Sequence, residues 1–143
     1  MTDTTTDLAA IERTIQLQAS PERVWRAISD PVELGRWFPQ RAAWELHAGA
    51  DGSFHFDGHG DFPIRVEAVR APRYLAWRWP REAGGDPVGG RDSTLVEWWV
   101  EPGEQGGTTL RVRESGFADP RHRAGNDEGW TEELAELVAL VDG

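Results

Sequence analysis

Two glutamates, Glu97 and Glu114, could each direct a carboxylate into the interior of the protein. They lie in residues 94–101 and 108–115, where apolar and polar residues alternate as in two strands joined by a hairpin. Because successive side chains of a strand point to opposite faces, each glutamate shares a face with apolar neighbours. A buried carboxylate has a raised pKa and can act as a general acid or base. Glu97 and Glu114 are therefore the catalytic candidates.

Glu97 also has two interpretations without catalysis. It could pair with an arginine and be structural, or it could lie hydrated at the mouth of a cavity. Its candidate partners are Arg65, Arg78, Arg111 and Arg113. The structural pairing is favoured, because the sequence contains no nucleophile elbow and no phosphate-binding glycine loop that would support an enzyme.

The histidines do not form a metal-binding pattern. His47, His55 and His59 lie near one predicted hairpin, but His55 stands between two phenylalanines and should face outward. His122 is expected in a loop before the last helix, where an exposed position is favoured over one at the rim of a cavity. The sequence predicts neither a metal nor a cofactor.

The elements that would position these residues form an α+β pattern. Ser20-Pro21 and Asp30-Pro31 predict the starts of two short helices, the second ending before Pro39. Period-two patterns follow from residue 41 to residue 115. Apolar residues from Trp130 onward share one face of a C-terminal helix that Asn126 or Asp127 could cap. We expect a curved antiparallel sheet of about six to seven strands with this long helix across its concave face.

Composition narrows the class of protein. The 143 residues suit one domain, predicted at residues 11–143 after a disordered lead at residues 1–10. A net charge of −10 argues against nucleic acid or an anionic membrane as a partner. There is no cysteine, and a polar N-terminus without a signal pattern predicts a cytoplasmic protein. Eight tryptophans could either fill the core or line a cavity.

An ordered set of short motifs resembles the START-like (SRPBCC) superfamily and, within it, the family named after the activator of the ninety-kilodalton heat-shock-protein ATPase. The set spans nearly the whole chain. It comprises ASPERVW at residues 19–25, Asp30-Pro31, Trp37-Phe38, AGADGSF at 48–54, VRAPRYL at 69–75 with Trp79, GTTL at 107–110, ESGF at 114–117 and Gly129-Trp130. The C-terminal helix is expected to be shorter than is usual in the family.

This resemblance implies the helix-grip fold, with a ligand cavity between the sheet and the last helix. It places Leu95 and Trp99 inward, and Glu97 would then point inward with them. The expected ligand-binding residues are Phe38, Phe54, Phe56, Trp77, Trp79, Leu95, Glu97, Trp99, Phe117, Trp130 and Leu134.

Family members include ligand carriers, polyketide cyclases, stress-related proteins and a chaperone-activating domain, so the fold alone does not select a function. We expect a protein that binds a small hydrophobic or aromatic molecule, in preference to an enzyme. One alternative is a cyclase- or aromatase-like enzyme that uses Glu97 or Glu114. The other is a chaperone-regulating module of the stress response, with Trp98 and Val100 as an outer contact patch. An outward Trp98 could also mark a homodimer surface or a site for a protein partner.

Overall fold

A computed structural model of the chain describes residues 8–89 and 92–143. The expected disordered lead therefore lies mostly outside the described residues. The elements are, in order, β1 (Ile11–Leu17), α1 (Pro21–Ser29), α2 (Pro31–Leu34), β2 (Arg41–Ala43), β3 (Asp51–Phe56), β4 (Gly60–Arg70), β5 (Tyr74–Pro80), β6 (Ser93–Pro102), a 3-10 turn (Glu104–Gly106), β7 (Thr108–Ser115) and α3 (Pro120–Asp142).

The strands form one antiparallel sheet of seven strands in the order β1-β7-β6-β5-β4-β3-β2. Apart from the β1–β7 pair, neighbours in the sheet are also neighbours in the chain, as expected for successive hairpins. Apolar residues of the inner face and of all three helices form a single core, to which α3 contributes Trp130, Leu134 and Leu137. The α+β helix-grip fold predicted from the sequence is confirmed.

The two short helices begin where the sequence predicts. Ser20 accepts a hydrogen bond from the backbone N–H of Arg23 (3.2 Å), and Asp30 accepts one from that of Glu33 (3.2 Å). A proline follows each cap at the first helical position, where its missing N–H costs nothing. Ser20 and Asp30 therefore mark the two ends of α1. Val24 and Ile28 of this helix are buried in the core.

The expected start of the last helix is wrong. α3 begins at Pro120 rather than near Asn126, and it spans 23 residues, so it is longer than the apolar pattern after Asn126 indicated. Asp119 is the cap, because its carboxylate accepts from the backbone N–H of Arg121 (2.8 Å). This Asp-Pro start repeats the one at Asp30-Pro31. Gly125 within the helix weakens the helical signal of this segment in the sequence.

The inward face of β6 is also opposite to the expected one. Thr94, Val96, Trp98 and Val100 are buried against the core, whereas Leu95, Glu97 and Trp99 lie on the outer face. The pairing with β5 explains the choice, since Trp98 stands opposite Leu75 and Val96 opposite Trp77, both fully buried. Alternation identifies two faces but does not say which one meets the core. The expected outer patch of Trp98 and Val100 therefore does not exist.

On the outer face, Glu97 has the structural role that was the favoured interpretation. Its carboxylate accepts from the hydroxyl of Tyr74 at 2.5 Å and lies 3.7 Å from a guanidinium nitrogen of Arg113. Trp99 lies beside Tyr74, and the guanidinium of Arg111 lies 4.0 Å from the Trp99 ring centroid. Partly exposed aromatic and charged groups thus cover this side of β6.

Candidate functional site

A cavity of about 290 Å³ opens between the sheet, α3 and the turn that joins β3 to β4. This volume is close to the lower end of the range for small-molecule pockets, roughly 300–1,000 Å³. Its aromatic lining comes from the chain after α2, from three strands and from α3, and comprises Phe38, Phe56, Phe62, Trp79 and Trp130. Its polar lining comprises His59, Arg81, His122, Asn126 and Glu133.

The aromatic residues that line the cavity form what we call its aromatic wall, and Phe38 lies at the centre of this wall. Its ring centroid lies 5.4 Å from that of Phe56, 5.7 Å from that of Trp79 and 5.5 Å from that of Trp130. These separations are those at which aromatic rings attract one another beyond simple burial of surface. The rings therefore brace one another around the cavity.

Glu114 lies directly behind this wall and is fully buried. Its carboxylate accepts hydrogen bonds from four side chains: Trp79 Nε1 (2.9 Å), Trp130 Nε1 (2.9 Å), Thr94 Oγ1 (2.6 Å) and Asn126 Nδ2 (3.0 and 3.1 Å). Burial raises the pKa of Glu114, and these donors act against that rise. The inward direction expected for Glu114 is confirmed.

This arrangement explains how the cavity keeps its shape. Glu114 joins strands β5, β6 and β7 to α3, because Trp79, Thr94 and Trp130 stand on different elements. The two indole N–H groups of the wall are used by the carboxylate behind it. A ligand in the cavity could therefore contact only the ring carbons and π electrons of these two tryptophans.

Other tryptophans fill the core instead of framing the cavity. Trp77 and Trp98 are fully buried, and they pack at 6.1 Å from each other between the cavity wall and the rest of the core. The Nε1 atom of each has no hydrogen-bond partner among the described residues. Trp37 is buried as well and donates to the carbonyl oxygen of Ala27 (2.7 Å). Some tryptophans of this chain therefore line the cavity and others fill the core, which are the two possibilities that composition left open.

The rim of the cavity holds the remaining titratable groups. Arg81 is paired with Asp119 at 2.9 Å. His122 is buried against Phe117 on the first turn of α3, and burial together with Arg81 lowers its pKa. Its position in a helix corrects the expectation of an exposed loop histidine. Glu133 is half-buried, and burial and the neighbouring Glu136 and Glu132 raise its pKa to about 7.

The described residues hold no group of three or more histidine, aspartate or glutamate side chains placed to bind a metal ion. His55 faces outward, with its ring nitrogens at 2.6 Å from Asp61 and 3.1 Å from Asp57. No helix in the described part of the chain is long and apolar enough to span a membrane.

A model of the family described as "Activator of Hsp90 ATPase homolog 1-like protein" matches residues 18–142. The chain belongs to this family. No curated protein is significantly similar to it.

Solved structures share the family fold over nearly the whole chain. Protein MLL2253 from Mesorhizobium loti is 26% identical, with a TM-score of 0.81 over 94% of this chain and 97% of that one. The Aha1 dimer from Colwellia psychrerythraea is 21% identical, with a TM-score of 0.75 over 94% and 95% of the two chains. DynU16, from the dynemicin biosynthetic locus, is 23% identical, with a TM-score of 0.77 over 93% of this chain and 47% of that one.

Within this family fold, the expected ligand-binding residues divide into three groups. Four of them line the cavity: Phe38, Phe56, Trp79 and Trp130. Four are buried in the core without lining it: Phe54, Trp77, Phe117 and Leu134. Three lie on the outer face of the sheet, away from any internal ligand: Leu95, Glu97 and Trp99. Contact of the first group with a ligand stays a prediction.

Sequence reasoning missed most of the polar lining. His122, Asn126 and Trp130 form one i, i+4 row along α3, and Gly125, Gly129 and Glu133 form the adjacent row. Both rows can be recognised in the sequence if the helix is taken to begin at the Asp119-Pro120 signal. His59 reaches the cavity from the β3–β4 turn and Phe62 from the start of β4, and no local sequence pattern relates either residue to α3.

Proposed function

We propose that this protein binds a small aromatic or apolar molecule in the cavity between the sheet and α3. The observation that carries the proposal is the aromatic wall whose indole N–H groups are both held by Glu114. An apolar guest would displace water from ring carbons without leaving those donors unpaired. The shared wall also means that the cavity is formed before a ligand enters, which lowers the entropic cost of binding.

The two carboxylates first considered for catalysis do not favour an enzyme. Glu97 lies on the outer face of the sheet. Glu114 does not line the cavity, and both of its oxygens accept hydrogen bonds from wall residues. A ligand would have to break those bonds to exchange a proton with Glu114. Binding needs no such rearrangement, and we therefore propose a binding protein.

Other properties stay predictions alongside this one. They are a cytoplasmic location, a role in the stress response, and assembly as a homodimer or with a protein partner. The Aha1 structure from Colwellia psychrerythraea is a dimer, which is a property of that protein. Trp98 cannot provide such an interface here, because it is buried in the core.

The test is a titration of intrinsic tryptophan fluorescence with toluene, benzyl alcohol and naphthalene. Trp79 and Trp130 stand in the cavity wall, so a bound ring should change their emission in a saturable way. The blocking variant is Gly129→Leu, because a Cβ atom at Gly129 meets nothing within 4 Å and a longer side chain would extend into the lined space. Ala135→Leu is the matched control, since Ala135 lies on the exposed face of the same helix.

We expect saturable binding in the parent protein, a loss of at least about tenfold in affinity in Gly129→Leu, and no change in Ala135→Leu. A flat response to all three compounds would reject the proposal. Equal loss in both variants would mean that the compounds do not bind in this cavity.

A further inference from the structure

Two polar atoms of α3 are buried at the cavity and have no hydrogen-bond partner among the described residues. They are Oε2 of Glu133 and Nδ1 of His122. Buried polar atoms in native proteins are nearly always satisfied, so a pair of unsatisfied ones in a ligand cavity indicates that a guest or water supplies the partners. A carboxylate oxygen needs a donor. The guest at Glu133 should therefore carry an N–H or O–H group.

The charges of the lining favour a cation as that guest. Arg81 is neutralised by Asp119 at 2.9 Å. Burial lowers the pKa of His122, which favours its neutral form. The charged neighbours that act on Glu133, by contrast, are two further carboxylates, those of Glu132 and Glu136. Among the described lining residues, no cation is paired with Glu133, since Arg81 is held by Asp119.

The aromatic wall is suited to the same kind of guest. Trp79 and Trp130 donate their indole N–H groups to the buried Glu114 carboxylate. The positively charged edge of each indole therefore points away from the cavity. A hydrogen bond to a carboxylate also polarises the ring toward higher electron density. Tryptophan faces and a nearby carboxylate are the groups with which proteins hold organic ammonium ions.

We infer that the ligand is a small organic amine that is protonated at neutral pH, with its ammonium group donating to Oε2 of Glu133 and its apolar part against Phe38, Trp79 and Trp130. This inference rests on the proposed function and specifies the chemical class of the ligand. The apolar part explains the aromatic wall, and the ammonium group explains the unpaired carboxylate oxygen.

The test compares benzylamine with benzyl alcohol and with benzoate, which share one ring and differ in charge. Tryptophan fluorescence of the full chain is titrated at about pH 8, above the pKa of about 7 of Glu133. We expect benzylamine to bind at least about tenfold more tightly than benzyl alcohol, and benzoate to bind most weakly.

Glu133→Gln is the decisive variant, because it keeps the shape of the side chain and removes its charge. It should lower the affinity for benzylamine about tenfold and leave that for benzyl alcohol unchanged. Glu132→Gln is the matched control, since it removes the same charge from an exposed position on the same helix. It should change neither affinity by more than about twofold.

The outcomes separate this inference from the proposed function. Equal affinities for benzylamine and benzyl alcohol, or tighter binding of benzoate, would overturn the amine while the cavity still binds. Equal effects of Glu133→Gln and Glu132→Gln would overturn the contact with Oε2 of Glu133. No binding of any of these three compounds, together with a flat response to toluene and naphthalene, would overturn both the amine and the proposed function.

Discussion

At the scale of single residues, the side chain that organises the molecule is Glu114. A fully buried carboxylate is costly in a protein unless its oxygens are satisfied. Here four neutral donors do this without any cation, two of them the indoles of the cavity wall. The cost of burying Glu114 is thus offset by hydrogen bonds that also set the orientation of Trp79 and Trp130.

The first prediction is that Glu114→Gln destabilises the protein by about 2–3 kcal/mol. The amide keeps one acceptor oxygen but turns a pair of donor hydrogens toward groups that are themselves donors. The free energy of unfolding is measured by urea denaturation followed by far-UV circular dichroism, which reports mainly on the backbone. Glu101→Gln, on the exposed end of β6, should change the value by less than about 0.5 kcal/mol. Equal stabilities of the two variants would contradict the role given to Glu114.

The second prediction concerns the pH dependence that Glu133 confers. Its pKa is raised from 4.5 to about 7, so its contribution to stability is present below pH 4.5 and is lost as pH rises through about 7. Binding of an amine should have the opposite sign, because only the ionised carboxylate attracts the ammonium group. The affinity for benzylamine should therefore rise between about pH 6 and pH 8.

The groups that share the surroundings of Glu133 are Glu132 and Glu136 on α3, and His59, Arg81 and His122 around the cavity. Burial and Arg81 lower the pKa of His122, and because His122 is retained in Glu133→Gln, that variant separates the contribution of Glu133 from that of His122. Glu133→Gln should abolish the pH dependence, measured by the same fluorescence titration. A rise that persists in the variant would assign it to another group.

At the scale of elements, the side of α3 that faces the cavity is unusual because it carries two glycines. Gly125 and Gly129 lie one turn apart in its interior, and a Cβ atom at either would meet nothing within 4 Å. Glycine in a helix interior lowers the stability of the helix relative to alanine. The two glycines of α3 therefore leave open space beside the helix but make the helix itself less stable. The open space is the cavity itself, which both glycines line.

The third prediction is that Gly125→Ala and Gly129→Ala each stabilise the protein by about 0.5–1 kcal/mol. The gain comes from the lower entropy of the unfolded chain, since neither site has a backbone conformation that excludes a side chain. Urea denaturation gives the change in the free energy of unfolding. Ala135→Gly, on the exposed face of α3, is the reverse control and should lose a similar amount. A loss of stability in the alanine variants would show that the space is needed by the fold and not by a ligand.

At the scale of the whole molecule, α3 is joined by polar contacts to β1 and to the residues on either side of it. The polar contacts that make this connection extend from the start of the helix to its end. They include Arg123 to the carbonyl oxygen of Ala9 (2.6 Å), Arg13 to the carboxylate of Asp127 (2.6 Å), and the backbone N–H groups of Gln18 and Ala19 to the carboxylate of Asp142 (2.9 Å each). The last helix therefore belongs to the same folding unit as the sheet.

The fourth prediction is a single cooperative unfolding transition. One sheet, one core and a helix held at both ends leave no part that could unfold by itself at equilibrium. Urea transitions followed by far-UV circular dichroism and by tryptophan fluorescence should coincide. Two separated transitions would contradict the prediction of one domain at residues 11–143.

Much of the fold could be read from local patterns. The caps at Ser20 and Asp30 follow from residue types next to prolines, and strand alternation follows from the backbone geometry of a pleated sheet. The apolar row that starts at Trp130 identified the buried face of α3. The same kind of signal at Asp119-Pro120 was overlooked, and with it the first turns of α3 that bring His122 and Asn126 to the cavity.

What the sequence by itself determined is the set of strands and helices and the two faces of each, because these depend on the order of residues along the backbone. Only the tertiary structure decided which face of β6 meets the core, because that choice depends on its register with β5 and β7. It likewise decided that Glu114 is enclosed by Trp79 and Trp130 while Glu133 is left unpaired at the cavity. Those residues meet across the sheet and α3, and contacts between distant elements have no local signature in the chain.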